Sequence, residues 1–342
     1  MLLSEYRPFS ELIVKETEYN KPCHSVIDFH THFGPVYRGQ RYEKTYTAKN
    51  IISILKSYGV EKVIDLEIFP EEVEHVCRIW EGQEEFCTIF APINFDYINE
   101  PNFETYVHKT IQRYKKLGIK GLKVWKNLGL EYKDKNGKLL RADDKRLQVI
   151  WQEAEENHFP VVVHLADPPA FFKPIDNNNE RVEELIEHPE WCFYGKGLPS
   201  FEELLEQQDK LIGNNPNTTF VVAHCGSYAE NLNFVSEQLN KHPNMYIDIS
   251  ARISELGRQP YTAKKFFTKH QDRILFGTDY YPTKDLLYPI YYRFLESMDE
   301  YFNYDYNIIP AKGRWKIYGI GLEPDILRKI YHDNAEYLLT RL

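Results

Sequence analysis

The chain has 342 residues, of which 42% are apolar and 27% charged, a composition typical of a folded globular protein rather than a disordered one. Its formal net charge of −9 disfavours non-specific binding to nucleic acid, which needs a basic surface to displace counterions from phosphate. The 5 cysteines are scattered and form no C-x-x-C pair, so they indicate neither a disulfide framework nor a zinc ribbon. Reduced thiols and a cytoplasmic location are therefore expected. The sequence predicts no membrane span, because no apolar run reaches about 18 residues, and no export signal, because residues 1–8 lack a basic region followed by an apolar one.

The chain begins with a segment that we predict to be an arm, over residues 1–24, with one candidate strand around Glu11–Thr17. No repeat or low-complexity tract divides the remainder, so residues 25–342 are expected to form a single domain.

Short apolar, β-branched runs recur along this domain, and each is too short for a core helix. The eight predicted strands are Val26–Phe29, Val60–Leu66, Phe86–Ile93, Ile119–Trp125, Phe159–Leu165, Thr218–Ala223, Met245–Ile249 and Arg273–Gly277. Amphipathic stretches between them predict crossover helices. These are Ala48–Tyr58, Phe103–Leu117, Asp143–Asn157, Glu202–Ile212, Ala229–Asn240 and Tyr261–His270. Eight such units favour an α/β fold of the (β/α)8 TIM-barrel type over an open doubly wound sheet. The polar stretch Glu71–Glu81 gives the weakest helix signal.

Two connections are longer than a minimal barrel requires, and they follow the fourth and fifth predicted strands. The first, Asn127–Ala142, contains Lys135-Asn136-Gly137, a turn signal that predicts a small hairpin. The second, residues 166–199, carries five prolines and is expected to be irregular, forming a cleft wall or a lid.

Polar side chains stand at the ends of several predicted strands. His30 and His32 are two residues apart in one strand, so their imidazoles project the same way and form a candidate metal clamp. His164 and His224 close the fifth and sixth strands, and Asp279 follows the eighth. In a TIM barrel these positions lie at one mouth, where active sites are placed. Taken singly, each is more often a hydrogen-bonded structural histidine or a capping aspartate.

The order of these residues, Asp-x-His-x-His on the first strand, His164, His224 and then Gly-Thr-Asp279, resembles the amidohydrolase superfamily. The segments 222–226, 275–279 and 330–335 resemble its amidohydrolase-related branch more narrowly, and the resemblance spans roughly residues 26–340. That branch includes metal-dependent decarboxylases of aromatic or muconate-type acids, lactonases and hydratases.

The resemblance implies that His30, His32, His164 and Asp279 bind one divalent ion, with zinc the first choice, manganese the alternative and no organic cofactor. Asp279 would also activate a metal-bound water. His224 would polarise a substrate carbonyl or serve as an acid.

Lys123, on the fourth strand, is the main ambiguity that the resemblance raises. In binuclear members of the superfamily a carboxylated lysine at this place bridges two metals, with His224 as a further ligand. The alternative, which we favour, is a lysine that binds substrate or pairs with a carboxylate.

Candidates for substrate binding lie after the seventh predicted strand and in the loops at the barrel mouth. Arg252 and Arg258 follow the seventh strand and can hold a carboxylate, although surface salt bridges are an equal alternative. Further candidates lie in the mouth loops, where ordinary packing is the alternative for each. They are Trp125, Lys126, Asp167, Phe171, Phe172, Tyr280 and Tyr281.

The function expected first is a metal-dependent hydrolase of a small carboxylic ester, lactone or amide. A metal-dependent decarboxylase of an aromatic or unsaturated acid is the alternative, and a non-catalytic metal-binding barrel is the third. The expected partner is a small molecule that can bear a carboxylate, with no nucleic acid and no membrane. The aromatic segment Tyr288–Tyr306 is expected to pack on the barrel or, alternatively, to join two subunits of a homo-oligomer.

Overall fold

Eight parallel strands form the centre of a computed structural model, which describes residues 5–341 except 7, 35, 38–39, 42–45 and 283–284. They are β1 (Val26–Thr31), β2 (Val60–Leu66), β3 (Cys87–Pro92), β4 (Gly121–Val124), β5 (Val161–Val163), β6 (Phe220–Val222), β7 (Met245–Asp248) and β8 (Ile274–Leu275). Consecutive strands pair in chain order. The amide of Phe29 donates to the Phe276 carbonyl at 2.9 Å, and that of His32 to the Tyr280 carbonyl at 2.8 Å. These bonds join the first strand to the end of the last, so the predicted TIM barrel is confirmed.

The strands are apolar on both faces because each lies between the barrel interior and a layer of helices. One buried cluster draws members from six strands and the C-terminal helix, and includes Ile27, Phe29, Leu66, Phe90, Val162, Val221, Leu275, Ala335 and Leu338. A larger cluster lies between the sheet and the surrounding helices. The barrel is thus a packed core rather than a pore, and chemistry is confined to its ends.

The helices follow the predicted alternation. They are α1 (Ala48–Ser57), α2 (Val73–Ile79), α3 (Phe103–Lys116), α4 (Gln148–Glu156), α5 (Val182–Glu187), α6 (Phe201–Gly213), α7 (Leu232–Lys241), α8 (Ile253–Leu256), α9 (Pro260–Lys269), α10 (Tyr288–Glu296), α11 (Pro324–Arg328) and α12 (Asn334–Leu339). The weakly predicted α2 forms because Val73 and Val76 are fully buried, with Trp80 packed just beyond its end. Among the described helices, none combines the length and the apolar composition that a membrane span requires.

The connections agree with most of the predictions. Lys133 bridges Leu139 in antiparallel fashion around the predicted Gly137 turn, so the hairpin after β4 is present. Residues 166–199 are less irregular than expected, because they contain α5 and two short helical turns. A pair of two-residue strands, Val36–Tyr37 and Gln40–Arg41, lies in the β1–α1 connection.

Two predictions about the outer segments have different outcomes. The candidate strand at Glu11–Thr17 is wrong. The amide and hydroxyl of Thr17 instead donate to the carboxylate of Asp299, at 2.6 and 2.8 Å, so this part of the arm is held by a side chain. In α10, by contrast, Tyr288, Tyr291 and Tyr292 are buried in the core, as expected for packing on the barrel, whereas Tyr301 and Tyr306 later in the same segment are exposed.

Candidate metal centre

His30 and His32 lie at the carboxyl end of β1 and direct their Nε2 atoms toward one carboxylate. The Nε2 atoms of His30 and His32 lie 3.7 and 3.2 Å from Oδ1 of Asp279. The two rings are almost fully buried, and the Asp279 side chain is 15% exposed. Three donor atoms of these types, all within 4.8 Å of one another, fit a divalent ion that prefers nitrogen and oxygen ligands.

The far side of each imidazole is occupied by a hydrogen-bond acceptor. Nδ1 of His30 donates to Oδ2 of Asp248 at 2.8 Å, and Nδ1 of His32 donates to the carbonyl of Leu66 at 2.9 Å. Because a carboxylate and a carbonyl can only accept, both Nδ1 atoms carry a proton, and an ion bound between the imidazoles and Asp279 would take the Nε2 lone pairs. Partners of this kind are typical of histidines that bind metals.

Asp248, at the end of β7, was not among the residues that the sequence singled out. It is fully buried and accepts four hydrogen bonds, from His30 Nδ1, the His224 amide at 2.9 Å, the Ser250 amide at 2.9 Å and Ser250 Oγ at 2.5 Å. Although burial raises the pKa of this carboxyl, the charge and hydrogen bond of His30 and the bonds from Ser250 bring it below its usual value. Its position at a strand end is the signal that would have revealed it.

His224 follows β6 in a backbone conformation that is unusual for a residue with a side chain. Its φ is +57° and that of Cys225 is +58°, both in the left-handed region. Nδ1 of His224 donates to the Ser250 carbonyl at 2.9 Å, and its ring centroid lies 4.9 Å from that of His30. Burial lowers the pKa of His224 well below its usual value, and the positive charges of His164 and Arg252 lower it further. The neutral ring therefore presents an accepting Nε2, whereas the predicted roles of polariser or acid need a proton on that atom.

Asp279 is held by the turn that follows β8. Its φ is +59°, and its amide donates to the carbonyl of His30 at 2.8 Å. The buried Asp28 accepts from the hydroxyls of Thr278 and Tyr288, at 2.5 and 2.7 Å, and from the amide of His30 at 3.1 Å. The turn and β1 are thereby fixed to each other, so Asp279 and His30 keep their relative positions.

His164, at the end of β5, adjoins this group but belongs to a separate set of contacts. Its ring centroid is 4.3 Å from that of His224, while its Nε2 lies 3.1 Å from Oδ1 of Asp167. Lys126 Nζ in turn lies 2.5 Å from Oδ2 of Asp167. Burial lowers the pKa of His164 to about 4, with the hydrogen bond to Asp167 opposing the shift.

Lys123 projects from β4 and is 1% exposed. Its Nζ has no hydrogen-bond partner among the residues that the structure describes. Burial lowers its pKa to about 8, against the attraction of Asp248 and Asp279, and its charge in turn helps to lower the pKa values of His32 and His164. The amine is therefore close to the candidate metal centre and available for a further contact.

The predicted substrate-binding residues differ in where they lie. Arg252 is 7% exposed, donates from Nη1 to the Ala251 carbonyl at 2.9 Å, and acts electrostatically on His224. Arg258 is instead paired with Glu180 at 2.8 Å and lies over the ring of Trp315. Tyr280 is packed against Phe33 and Tyr288 in the core. Trp125 lies beside Lys126, with Nζ 5.9 Å from the ring centroid.

Comparisons with known proteins place this arrangement in context. A family model described as "Amidohydrolase" matches residues 95–341. No curated protein matches the chain.

Solved structures similar to this fold include a dihydroxybenzoic acid decarboxylase from Polaromonas sp. with bound manganese and the inhibitor 2-nitroresorcinol. That structure is 14% identical, with a TM-score of 0.61 over 93% of this chain and 97% of its own. A probable 2-pyrone-4,6-dicarboxylic acid hydrolase from Acinetobacter baumannii is 13% identical, with a TM-score of 0.52 over 92% of this chain and 99% of its own. An amidohydrolase from Burkholderia multivorans with bound zinc is 10% identical, with a TM-score of 0.56 over the same shares.

At these identities the solved structures establish the fold alone, whereas the family model covers more than two thirds of the chain, including β4 to β8 with His164, His224 and Asp279. The chain belongs to the amidohydrolase-2 family.

Proposed function

We propose that this protein is a metal-dependent hydrolase of a small carboxylic ester, lactone or amide. The observation that carries the proposal is the convergence of His30 Nε2, His32 Nε2 and Asp279 Oδ1, with both imidazoles held from behind by acceptors. These residues, with His164, would hold one divalent ion, zinc or manganese. Such an ion, when bound, supplies a Lewis acid that polarises oxygen and lowers the pKa of water.

Two side chains of this protein would accept and donate the proton of an attacking water. The Asp279 side chain adjoins both imidazoles and is partly exposed, so its carboxylate is placed to accept that proton. His224 presents its Nε2 lone pair and can accept a hydrogen bond from the same water. After the attack, His224 would receive at Nε2 the proton that Asp279 took from the water and donate it to the oxygen or nitrogen of the leaving group, so both residues return to their starting states. This is the acid role expected from the sequence.

Two cationic side chains near the candidate metal centre support the proposal that the substrate bears a carboxylate. Arg252 uses one nitrogen on a backbone carbonyl, and Lys123 has no described hydrogen-bond partner. A guanidinium recognises a carboxylate with two parallel hydrogen bonds. We therefore propose Arg252 as the carboxylate anchor and Lys123 as a second contact, whereas the pairing of Arg258 with Glu180 gives that residue no support.

Decarboxylation of an aromatic or unsaturated acid is the second candidate. It is favoured by the same two cations, which would place a substrate carboxylate close to the metal, and by the decarboxylase names of several similar structures. In this reaction His224 would help to protonate the carbon that loses carbon dioxide. The two reactions are distinguishable, because hydrolysis releases an acid without carbon dioxide.

The cellular setting is also a proposal. All five cysteines are unpaired, which supports a reducing, cytoplasmic compartment.

Metal analysis of the purified protein tests the proposed site. We expect about one zinc or manganese ion per chain in the parent, and its loss in a His30→Ala/His32→Ala double variant. The control is a His108→Ala/His188→Ala variant, in which two exposed histidines distant in sequence from the candidate ligands are removed. Equal metal content in all three proteins would contradict the proposed ligands. Two ions per chain would instead favour the binuclear alternative, in which Lys123 is a bridging ligand.

A screen of lactones, esters and aromatic acids, with acid release and carbon dioxide followed in parallel, then distinguishes the two reactions. Acid release without carbon dioxide, abolished in the His30→Ala/His32→Ala variant, is the expected result. Carbon dioxide as the product would establish the decarboxylase.

A further inference from the structure

We infer that Lys126 and Asp167 are positioning residues for the metal centre, acting together through His164, and that they are not substrate ligands. This inference rests on the proposed metal-dependent function and goes beyond it. It also replaces the substrate-binding role that the sequence suggested for both residues.

Three side chains near the ends of two neighbouring strands form a connected chain of polar contacts. Lys126 lies two residues after β4, His164 directly follows β5, and Asp167 lies three residues beyond His164. Lys126 Nζ is 2.5 Å from one carboxylate oxygen of Asp167, and His164 Nε2 is 3.1 Å from the other. The side chains of Asp167 and His164 are 8% and 9% exposed, so both oxygens are engaged away from solvent.

The direction of these hydrogen bonds decides which nitrogen of His164 is available. A carboxylate that is paired with an ammonium group can only accept, so Nε2 of His164 carries the proton and Nδ1 carries the lone pair. In His30 and His32 the two ring nitrogens have the opposite roles. Their Nδ1 atoms donate to Asp248 and to the Leu66 carbonyl, and their Nε2 atoms are left for the ion. Each of the three candidate histidine ligands thus has one nitrogen fixed by an acceptor and one left for the ion.

The positive charge of Lys126 is already paired within this chain of contacts. Its ammonium lies against Asp167 and within 6 Å of two aromatic ring centroids, Trp125 at 5.9 Å and Phe193 at 5.7 Å. Phe193 belongs to the 166–199 connection, so Lys126 also links that connection to the end of β4. Because Asp167 already supplies the counter-charge of Lys126, a substrate carboxylate would gain less from this ammonium than from that of Lys123, which has no described hydrogen-bond partner.

The test measures zinc affinity directly, by competition with a chromophoric chelator. We expect Asp167→Ala to weaken zinc binding about 10–100-fold, the usual cost of removing a partner behind a metal ligand. Asp167→Asn keeps an oxygen that can accept from His164 and should lose less, and Lys126→Met should also lose less than Asp167→Ala.

The chain offers a matched control in Asp209, which bridges Lys241 at 2.6 Å and His242 at 2.8 Å. Asp209→Ala removes the same kind of Lys–Asp–His contact from residues that the candidate centre does not include, and should leave zinc affinity unchanged. A double-mutant cycle adds a readout that general damage would not produce. In a His164→Ala background, Asp167→Ala should have no further effect on zinc affinity.

Three outcomes would overturn the inference. Zinc affinity could equal that of the parent in Asp167→Ala and Lys126→Met while KM rises, which would identify substrate ligands. Asp209→Ala could weaken zinc to the same extent, which would identify a general loss of stability. A parent protein that binds no divalent ion would overturn the proposed function itself, and this inference with it. If Asp167→Ala does not fold, Asp167→Asn and Lys126→Met decide the question.

Discussion

The chemistry available to His224 is determined by the atom behind its ring. The carbonyl of Ser250 accepts from Nδ1, which leaves Nε2 as the only acceptor of the neutral imidazole. Left-handed backbone at His224, Cys225, Ala251 and Asp279 directs the loops that carry these groups. Residues with side chains rarely adopt this conformation, and clusters of them are typical of functional sites.

Asp248→Asn tests the network behind the ligands. An amide offers one accepting oxygen and one donating nitrogen, so it must face at least one of the four donors with another donor. We expect the free energy of unfolding of the metal-free protein to fall by about 1–3 kcal/mol, the usual cost of an unsatisfied buried group, and zinc affinity to fall as well. Urea denaturation of the chelator-treated protein measures the first effect. Asp209→Asn, at a half-buried ion pair, is the control, and an equal loss in both variants would contradict this account of Asp248.

The sequence identified the strand-end residues but not the groups that hold them. His30, His32, His224 and Asp279 do lie together, with His164 beside them, as the alternation of strands and helices predicted. Asp248 and Ser250 were missed because an Asp-x-Ser pattern is equally typical of a turn. Arg258 and Tyr280 have partners that are far away in sequence, Glu180 and Phe33, and no local pattern could reveal those contacts. The catalytic roles themselves stay predictions.

At the scale of elements, the strands were predictable because each is buried on both faces and is therefore continuously apolar. The arm was less predictable, since Glu11–Thr17 has strand-like residues but pairs with none of the described strands, and its Thr17 bonds to Asp299 instead. Residues 166–199 were expected to be irregular because of their prolines. In the structure, three charged residues within four positions there make long-range ion pairs: Glu180 with Arg258, Arg181 with Glu255, and Glu183 with Arg314.

These ion pairs should differ greatly in their contribution to stability. Arg181 is 1% exposed and pairs with Glu184 and Glu255, so Arg181→Met removes a buried counter-charge from both carboxylates, of which Glu255 keeps Lys312 at 3.7 Å. We expect a loss of about 3–5 kcal/mol in the free energy of unfolding. Arg314→Met breaks the more exposed pair with Glu183 and should cost about 0–1 kcal/mol. Chemical denaturation of both variants measures the difference, and losses of similar size would show that burial does not distinguish the two pairs.

At the scale of the whole molecule, buried ionisable groups make stability depend on pH. Burial raises the pKa of Asp65 to about 7 and that of Glu67 to about 8, the latter helped by the charge of Asp65. At pH values between the ordinary pKa of a carboxyl group and these raised values, the folded chain holds protons that the unfolded chain has lost. The free energy of unfolding therefore falls as pH rises through this range. His32 and His164 act in the opposite direction, because burial lowers both pKa values to about 4. Their contribution rises with pH and is complete above about pH 6.5, the ordinary value for histidine.

Glu67 should therefore dominate the change in stability between pH 6.5 and 8. Its Oε1 accepts from the amides of Ile68 and Phe69, both at 2.7 Å, while its Oε2 is buried without a hydrogen-bond partner among the described residues. One ionising group changes the free energy of unfolding by about 1.4 kcal/mol per pH unit in such a window, so the metal-free parent should lose about 2 kcal/mol.

Glu67→Gln keeps the accepting oxygen and the shape of the protonated acid but cannot ionise. It should lose less than half as much over the same interval, with the remainder due to Asp65. Urea denaturation at pH 6.5 and 8.0 in the presence of a chelator measures both proteins, and the exposed Glu84→Gln serves as the control. A parallel decline in the parent and Glu67→Gln would assign the pH dependence to other groups.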